Sequence, residues 1–164
     1  MTIRDIVTFP DPRLRQPTRA VTAFGDNLKA LAADLLDTMR AAPGIGITGP
    51  HIGQDLRITV LELQPGEVRT YVNPRIIWAS DELQRHEEGS ISMPGAAETV
   101  ERPAQVRVAY QDLDGADKTE AAQGLLAICL QHEIDQLDGI FWTQRLSRLK
   151  REMLVKKWEK LRKR

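Results

Sequence analysis

Apolar residues recur at three- and four-residue steps early in the chain, which predicts an amphipathic helix from Asn27 to Arg40. The stripe comprises Leu28, Leu31, Leu35, Leu36 and Met39. Asp26 precedes it and is a suitable N-cap, because a carboxylate accepts hydrogen bonds from the free amides of a first turn. We therefore expect this helix to pack one face against a core.

Three later stretches alternate apolar and polar residues or are rich in β-branched residues, which predicts strands. They read "RITVLEL" (57–63), "VRTYVNPRII" (68–77) and "AQVRVAYQDLDG" (104–115), with turn residues at "QPGE" and "DLDG". Before them, "PGIGITGPHIG" (43–53) alternates Gly and Pro with Ile. That composition indicates a loop whose backbone lies close to another group.

Helical spacing returns in the last third of the chain. Leu125, Ile128, Cys129 and His132 share one face of a helix predicted from about Thr119 to Gln136. A final helix is predicted from Ser147 to the end, with Met153, Leu154, Trp158 and Leu161 as its apolar stripe. Short strands between an early and a late helix indicate an α+β fold. A chain of 164 residues suits one domain, 1–164, that includes the last helix.

Charge is unevenly distributed although the net charge is zero. From Arg145 to the end, ten Lys or Arg stand against two Glu, a local charge of +8, so the remaining chain carries −8. This segment either presents a solvated basic face or contacts an acidic surface such as RNA.

Composition limits both the class of protein and the cellular compartment that we expect. The most apolar stretch, "GLLAICLQ" (124–131), is too short to cross a bilayer, and the start "MTIRDIVTFP" has no signal-peptide pattern. The single cysteine, Cys129, excludes an intramolecular disulfide. We expect a cytoplasmic protein that does not contact a membrane.

The segment "QHEIDQLDG" (131–139) begins like the His-Glu-x-x-His helix of a metallohydrolase. Residues 132 and 136 lie one helical turn apart, so two histidines there could bind one metal ion beside a general-base glutamate. In this chain the second position is Gln136. A His-Glu pair alone is a weak signal, because it occurs often by chance.

Three segments together resemble the peptide deformylase family, enzymes that remove the N-formyl group from nascent chains. "PGIGITGPHIG", "EEGSISMPG" (87–95) and "QHEIDQLDG" are similar to the three family motifs, in the family order and spacing. Similarity in "VTFPDPRLRQPTRAV", "YVNPRI" and "FWTQRLSRLKREM" extends the resemblance over nearly the whole chain. The resemblance implies the peptide deformylase fold, with short strands around a central motif-bearing helix.

The departures from the family pattern fall on the metal site. Family members hold iron, with zinc or nickel as substitutes, through one Cys and two His, and the corresponding positions here are Ser90, His132 and Gln136. A serine hydroxyl and an amide oxygen are weak neutral donors, so only His132 is a strong ligand. We expect no cofactor, or at most one weakly bound Fe, Zn or Ni ion. We also expect deformylase activity to be lost or strongly reduced.

The resemblance implies further site residues. Glu133 occupies the general-base position, His51 the position of a glutamine that supports the oxyanion, and Ile91 a position whose backbone N–H binds the oxyanion. The substrate-binding positions are Gly44, Ile45, Gly46, Glu88, Leu125, Ile128 and Cys129. From helical spacing alone, the last three would be ordinary core residues.

Three interpretations of this site follow. In the first, the chain has no normal metal-dependent activity and retains binding of the N-terminal peptide of nascent chains. In the second, it is an active hydrolase with rebuilt chemistry, through a metal site of His51, His132 and Glu133 or a Ser90–His132 nucleophile pair. In the third, Ser90, His132, Glu133 and Gln136 form a polar cluster that acts as a structural staple.

The basic last helix suggests a partner. It is similar to the helix by which bacterial-type family members are thought to dock beside the ribosomal exit tunnel. Attraction to phosphates would make such binding strongly salt-dependent. We therefore expect the ribosome as a candidate partner.

Overall fold

The computed structural model describes residues 2–163, in which three α-helices surround strands of two antiparallel sheets. The helices are α1 (Asp26–Ala41), α2 (Gly124–Leu137) and α3 (Arg148–Arg162). The strands are β1 (Gly46–Thr48), β2 (Ile58–Glu62), β3 (Val68–Ala79), β4 (Leu83–Ser90), β5 (Met93–Pro103), β6 (Gln105–Gln111) and β7 (Asp117–Gln123). Short 3₁₀ helices lie at Pro12–Arg15, Gly49–Ile52 and Trp142–Arg145. The predicted α+β class is confirmed.

The larger sheet has five strands in the order β1-β2-β3-β6-β7, and the β4–β5 hairpin forms the second sheet. Both sheets are antiparallel throughout. Two irregularities interrupt the pairing of β3 with β6, one between Val72 and Arg75 and one between Ile76 and Trp78. Such bulges redirect side chains along a strand.

Helices pack on both faces of the five-stranded sheet, α1 on β1 and β2 and α2 on the opposite face. Neighbouring strand residues point to opposite faces. Val60 packs with the apolar stripe of α1, whereas the next residue, Leu61, packs with the buried face of α2. The motif-bearing helix α2 is therefore enclosed, and its residues from Ala127 to Leu137 are all buried. The hydrophobic stripe predicted for the first helix is confirmed for Leu28, Leu31, Leu35 and Met39, which are buried, while Leu36 is partly buried.

Two helix boundaries differ from the prediction. Gly25 is the N-cap of α1, and Asp26 is its first residue. The helix predicted from Thr119 begins only at Gly124, because residues 117–123 form β7 and pair along their whole length with β6. Gly124 has φ of +60°, a conformation that glycine adopts without strain, and this lets the chain turn directly from strand to helix.

Other differences concern polar strands and the last helix. The hairpin of β4 and β5 was not predicted, since its strands carry many charged residues and little alternation. In α3, Leu154 and Trp158 are buried against the core, as predicted, but Met153 and Leu161 are 63% and 52% exposed. The segment 43–53, predicted as a loop, contains β1 and a 3₁₀ helix.

Within the described residues, no helix is both long and apolar enough to span a bilayer.

Candidate functional site

A cavity of about 510 Å³ opens between the β4–β5 hairpin, α2 and the segment around β1. It brings together nearly all the residues that the family resemblance pointed to. Lining it are Gly44, Ile45, Gly46, His51, Glu88, Ser90, Ile91, Leu125, Ile128, Cys129, His132 and Glu133. Gln136 is the exception among the predicted site residues.

Gln136 is not part of the lining of this cavity. Its side chain is buried, and its amide Nε2 donates a hydrogen bond of 2.7 Å to the backbone oxygen of Leu14. Leu14 belongs to the 3₁₀ helix Pro12–Arg15 and is itself buried. The residue at this ligand position therefore fastens the N-terminal segment to α2.

His132 is held by a carboxylate. Its Nδ1 lies 2.8 Å from Glu88 Oε1 and donates to it, which leaves Nε2 as the nitrogen on the other side of the ring. Burial lowers the pKa of His132, but the Glu88 hydrogen bond and the nearby Glu133 charge outweigh this and raise it. Burial raises the pKa of Glu88, but hydrogen bonds from His132 and Arg102 lower it to about 2.

A buried ion-pair chain extends from Glu88 towards the start of α3. Arg102 donates from Nε and Nη2 to Glu88, at 2.6 and 2.9 Å, and from Nη1 to Asp135 Oδ2 at 2.8 Å. Arg145 then donates to both oxygens of Asp135. Sequence reasoning missed Arg102, Asp135 and Arg145. A usable signal was Asp135 itself, a carboxylate on the helix that the family resemblance places at the centre of the fold, since buried charges are almost always paired.

Glu133 lies between His132 and the backbone of β1. Its Oε1 is 3.8 Å from His132 Nε2, and a Cβ added to Gly46 would come within 2.9 Å of the same oxygen. Only glycine therefore fits at position 46 without displacing the carboxylate. Glu133 Oε2 is buried and has no hydrogen-bond partner among residues 2–163. Burial raises the pKa of Glu133 to about 7.

His51 presents a second unpaired polar atom. Its Nδ1 accepts a hydrogen bond of 2.9 Å from the backbone N–H of Thr48, so a neutral ring carries its hydrogen on Nε2. Burial, with the nearby charge of His132, lowers the pKa of His51 to about 3, and the ring is neutral at pH 7. Nε2 is buried and finds no partner in the described part of the chain.

The rebuilt sites considered from the sequence are not formed. Ser90 Oγ accepts from the backbone N–H of Ser92 at 3.1 Å, and no hydrogen bond joins Ser90 to His132 within the described residues. The same residues contain no group of three or more His, Cys, Asp or Glu placed to hold a metal ion, which includes the proposed set of His51, His132 and Glu133.

The polar staple considered from the sequence comprises Ser90, His132, Glu133 and Gln136. No hydrogen bond joins these four side chains to one another within the described residues, although His132 Nε2 and Glu133 Oε1 lie 3.8 Å apart. Three of them bond to other partners. His132 donates to Glu88, Gln136 donates to the backbone oxygen of Leu14, and Ser90 accepts from the backbone N–H of Ser92. The buried ion-pair chain through Arg102 connects this region instead.

Part of the cavity wall is apolar. Ile128 and Cys129 are buried in its wall, whereas Ile45 and Leu125 are 44% and 40% exposed. Burial raises the pKa of the Cys129 thiol to about 12, so it stays protonated and contributes an apolar surface. The cavity thus combines an apolar wall with two unpaired polar atoms.

The model of the polypeptide deformylase family matches residues 3–152. The chain belongs to the peptide deformylase family. A "peptide deformylase-like" protein of Brucella suis biovar 1 is 62% identical over 162 residues, covering 98% of this chain and 99% of the relative. A second protein of the same strain, named "peptide deformylase", is 42% identical over 165 residues, covering 98% and 94%.

Solved structures agree with this assignment. The crystal structure of a peptide deformylase from Legionella pneumophila is 39% identical and superposes with a TM-score of 0.92, covering 99% of this chain and 96% of that one. The predicted family and fold are therefore confirmed.

Peptide deformylases are metal-dependent, but the donors of this chain do not fit such a metal. Ser90 offers a neutral hydroxyl, and Gln136 lies outside the cavity lining with its amide nitrogen bound to Leu14. His132 Nε2 is the strong donor that remains at the three ligand positions.

Proposed function

We propose that this member of the family binds the N-terminal end of a formylmethionyl peptide in its cavity and does not catalyse metal-dependent removal of the formyl group. The observation that carries the proposal is the donor set around His132, in which Ser90 is a weak ligand and Gln136 is turned to Leu14. The family fold and the cavity are retained around this altered set.

Replacement of two metal ligands should lower the affinity for metal by a large factor. A full set of ligands in a structural zinc site supplies about 10 kcal/mol, so each of three ligands supplies roughly 3 kcal/mol. Two weak positions leave about 4 kcal/mol, which corresponds to a dissociation constant of about 1 mM. At cellular metal concentrations such a site would be mostly metal-free.

Two buried atoms without hydrogen-bond partners among the described residues, His51 Nε2 and Glu133 Oε2, suit the recognition of a formamide group. A formamide has one carbonyl acceptor and one N–H donor. His51 Nε2–H can donate to the carbonyl, and Glu133 Oε2 can accept from the N–H, so that both buried atoms gain partners. The apolar wall of Ile45, Leu125, Ile128 and Cys129 suits an unbranched methionine side chain.

Three measurements on the purified chain test the proposal. Elemental analysis gives the metal content, an assay with formyl-Met-Ala-Ser gives turnover, and isothermal titration calorimetry with the same peptide gives affinity. With a dissociation constant of about 1 mM, we expect less than about 0.1 metal ion per chain and no measurable turnover. The formyl-Met peptide should bind saturably, whereas formyl-Asp-Ala-Ser should not bind. Stoichiometric iron, nickel or zinc with fast turnover would overturn the proposal.

We further propose a cytoplasmic location and contact with the ribosome through α3. Lys150, Lys156, Lys157 and Lys160 are exposed on this helix, and α3 is anchored by buried Leu154 and Trp158. Because phosphate contacts release counterions, co-sedimentation with ribosomes should weaken steeply as salt is raised. Binding that stays constant from 50 to about 300 mM salt would contradict an electrostatic contact of this kind.

A further inference from the structure

Part of the five-stranded sheet has an exposed face on the side of α1. That helix packs on β1 and β2 through Leu31 and Leu35, while α2 packs on the opposite face of the sheet. Beyond the reach of α1, on β3, β6 and β7, side chains of the same face are exposed. They include Arg75, Trp78, Arg107, Thr119 and Ala121.

Strand pairing places an aromatic residue and two arginines together on this face. Trp78 pairs with Arg107 across β3 and β6, and Arg75 pairs with Ala109. Arg107 and Ala109 are two residues apart on β6 and so point to the same face. The bulge between Ile76 and Trp78 brings Trp78 back to the face of Arg75. We call Arg75, Trp78 and Arg107 the sheet-face patch.

Both arginines of the patch have free guanidinium groups. Neither forms an ion pair or a side-chain hydrogen bond with residues 2–163, whereas the strand residues Arg69, Arg85 and Arg102 each pair with a carboxylate. Trp78 is 48% exposed. The patch therefore presents two unneutralised cations beside an open indole ring.

A groove continues from the patch along the sheet. It has a volume of about 510 Å³, and Arg75 lines one side of it. Ala109 lies in its floor between the strands, and Thr119 supplies a hydroxyl group. The Gln111 amide also lines the groove and is bonded to Asn73 and to the Gly115 oxygen. Asp117 is the carboxylate in the lining, set against Arg75 and Lys118.

We propose that this face binds a short single-stranded nucleic acid segment. One base stacks on Trp78, flanking phosphates contact Arg75 and Arg107, and neighbouring base edges reach the polar groups of the groove. Single-stranded segments are bound in this way, by aromatic platforms within a basic groove. Guanidinium groups suit phosphate because their planar donors match its oxygens. An acidic peptide would use the arginines but gain less from an exposed indole.

The test is fluorescence anisotropy with a labelled eight-nucleotide RNA of uridines, from 50 to 200 mM NaCl. Arg75→Ala with Arg107→Ala should weaken binding at least tenfold and reduce the salt slope by about 1.4, since each single-strand phosphate contributes about 0.7. Trp78→Ala should weaken binding about tenfold, and Trp78→Phe should restore most of it because phenyl also stacks. Thermal melts establish that each variant is folded.

A matched control removes two charges elsewhere. Arg15→Ala with Lys29→Ala should change RNA affinity less than about threefold, because these exposed side chains lie outside both the patch and α3. The proposal is overturned if the arginine double variant binds RNA normally while Lys156→Ala with Lys157→Ala abolishes binding, because α3 would then be the RNA-binding surface. It is equally overturned if the native chain binds a glutamate-rich peptide at the patch and no RNA.

Discussion

Replacing Ser90 by Cys and Gln136 by His together restores a thiolate and a second imidazole at the positions beside His132. Thiolate and imidazole are strong ligands for zinc and nickel, whereas a hydroxyl and an amide are not. Helical spacing puts residues 132 and 136 one turn apart. We expect the double variant to bind one zinc or nickel ion per chain, which the native protein would not do.

The size of the effect combines two new metal ligands with the removal of one buried hydrogen bond. Two ligands at roughly 3 kcal/mol each give about 6 kcal/mol. Gln136→His removes the 2.7 Å hydrogen bond to the Leu14 oxygen, and leaving that buried carbonyl unpaired costs about 1–3 kcal/mol. The net gain of about 3–5 kcal/mol corresponds to roughly 10²–10⁴-fold tighter metal binding. Ser90→Cys alone keeps the hydrogen bond to Leu14 and should gain about 10²-fold.

The assay is a titration of metal-free protein with zinc in the presence of a competing chelator. Native chain, both single variants and the double variant are compared, with His132→Ala in the double-variant background as the control that removes the remaining strong ligand. An affinity of the double variant within tenfold of the native chain would refute the ligand argument. Micromolar or tighter binding by the native chain would refute it as well.

Three further predictions concern stability. Arg102→Met leaves Glu88 and Asp135 without their shared cation and should cost about 3–5 kcal/mol of unfolding free energy. Arg85→Met removes an exposed ion pair and should cost less than about 1 kcal/mol. Equal losses of unfolding free energy in urea denaturation would contradict a stabilising role for the buried ion pairs of Arg102. Burial raises the pKa of Glu133 from 4.5 to about 7, so the folded state binds the proton more tightly and native stability falls as pH rises from 4.5 to 7. Between pH 4.5 and 7 the native chain should lose about 3 kcal/mol of unfolding free energy relative to Glu133→Gln. If the unfolding free energies of the two proteins changed equally with pH, this prediction would be contradicted. Gln136→Leu should cost about 1–3 kcal/mol because the Leu14 carbonyl loses its donor, and an unchanged melting temperature would show that the hydrogen bond is not needed.

Family membership and most of the core were predictable from the sequence. The stripe of α1 is confirmed because residues three and four apart share a helix face, whatever that face packs against. The three strands with alternating patterns correspond to β2, β3 and β6, which the sheet buries on at least one face. The motif order likewise located the predicted lining residues of the cavity, Gln136 excepted.

Other features depend on contacts between distant segments, so local pattern could not predict them. The exposed edge strand β7 has almost no apolar alternation and is fixed by its ladder with β6, which is why the helical prediction from Thr119 was wrong there. The Gln136 amide nitrogen bonds to Leu14, a partner 122 residues away. The identity of residue 136 was enough to mark it as a weak metal ligand. Its direction was decided by the packing of the N-terminal segment on α2, because a buried amide must pair with whatever acceptor the fold brings next to it.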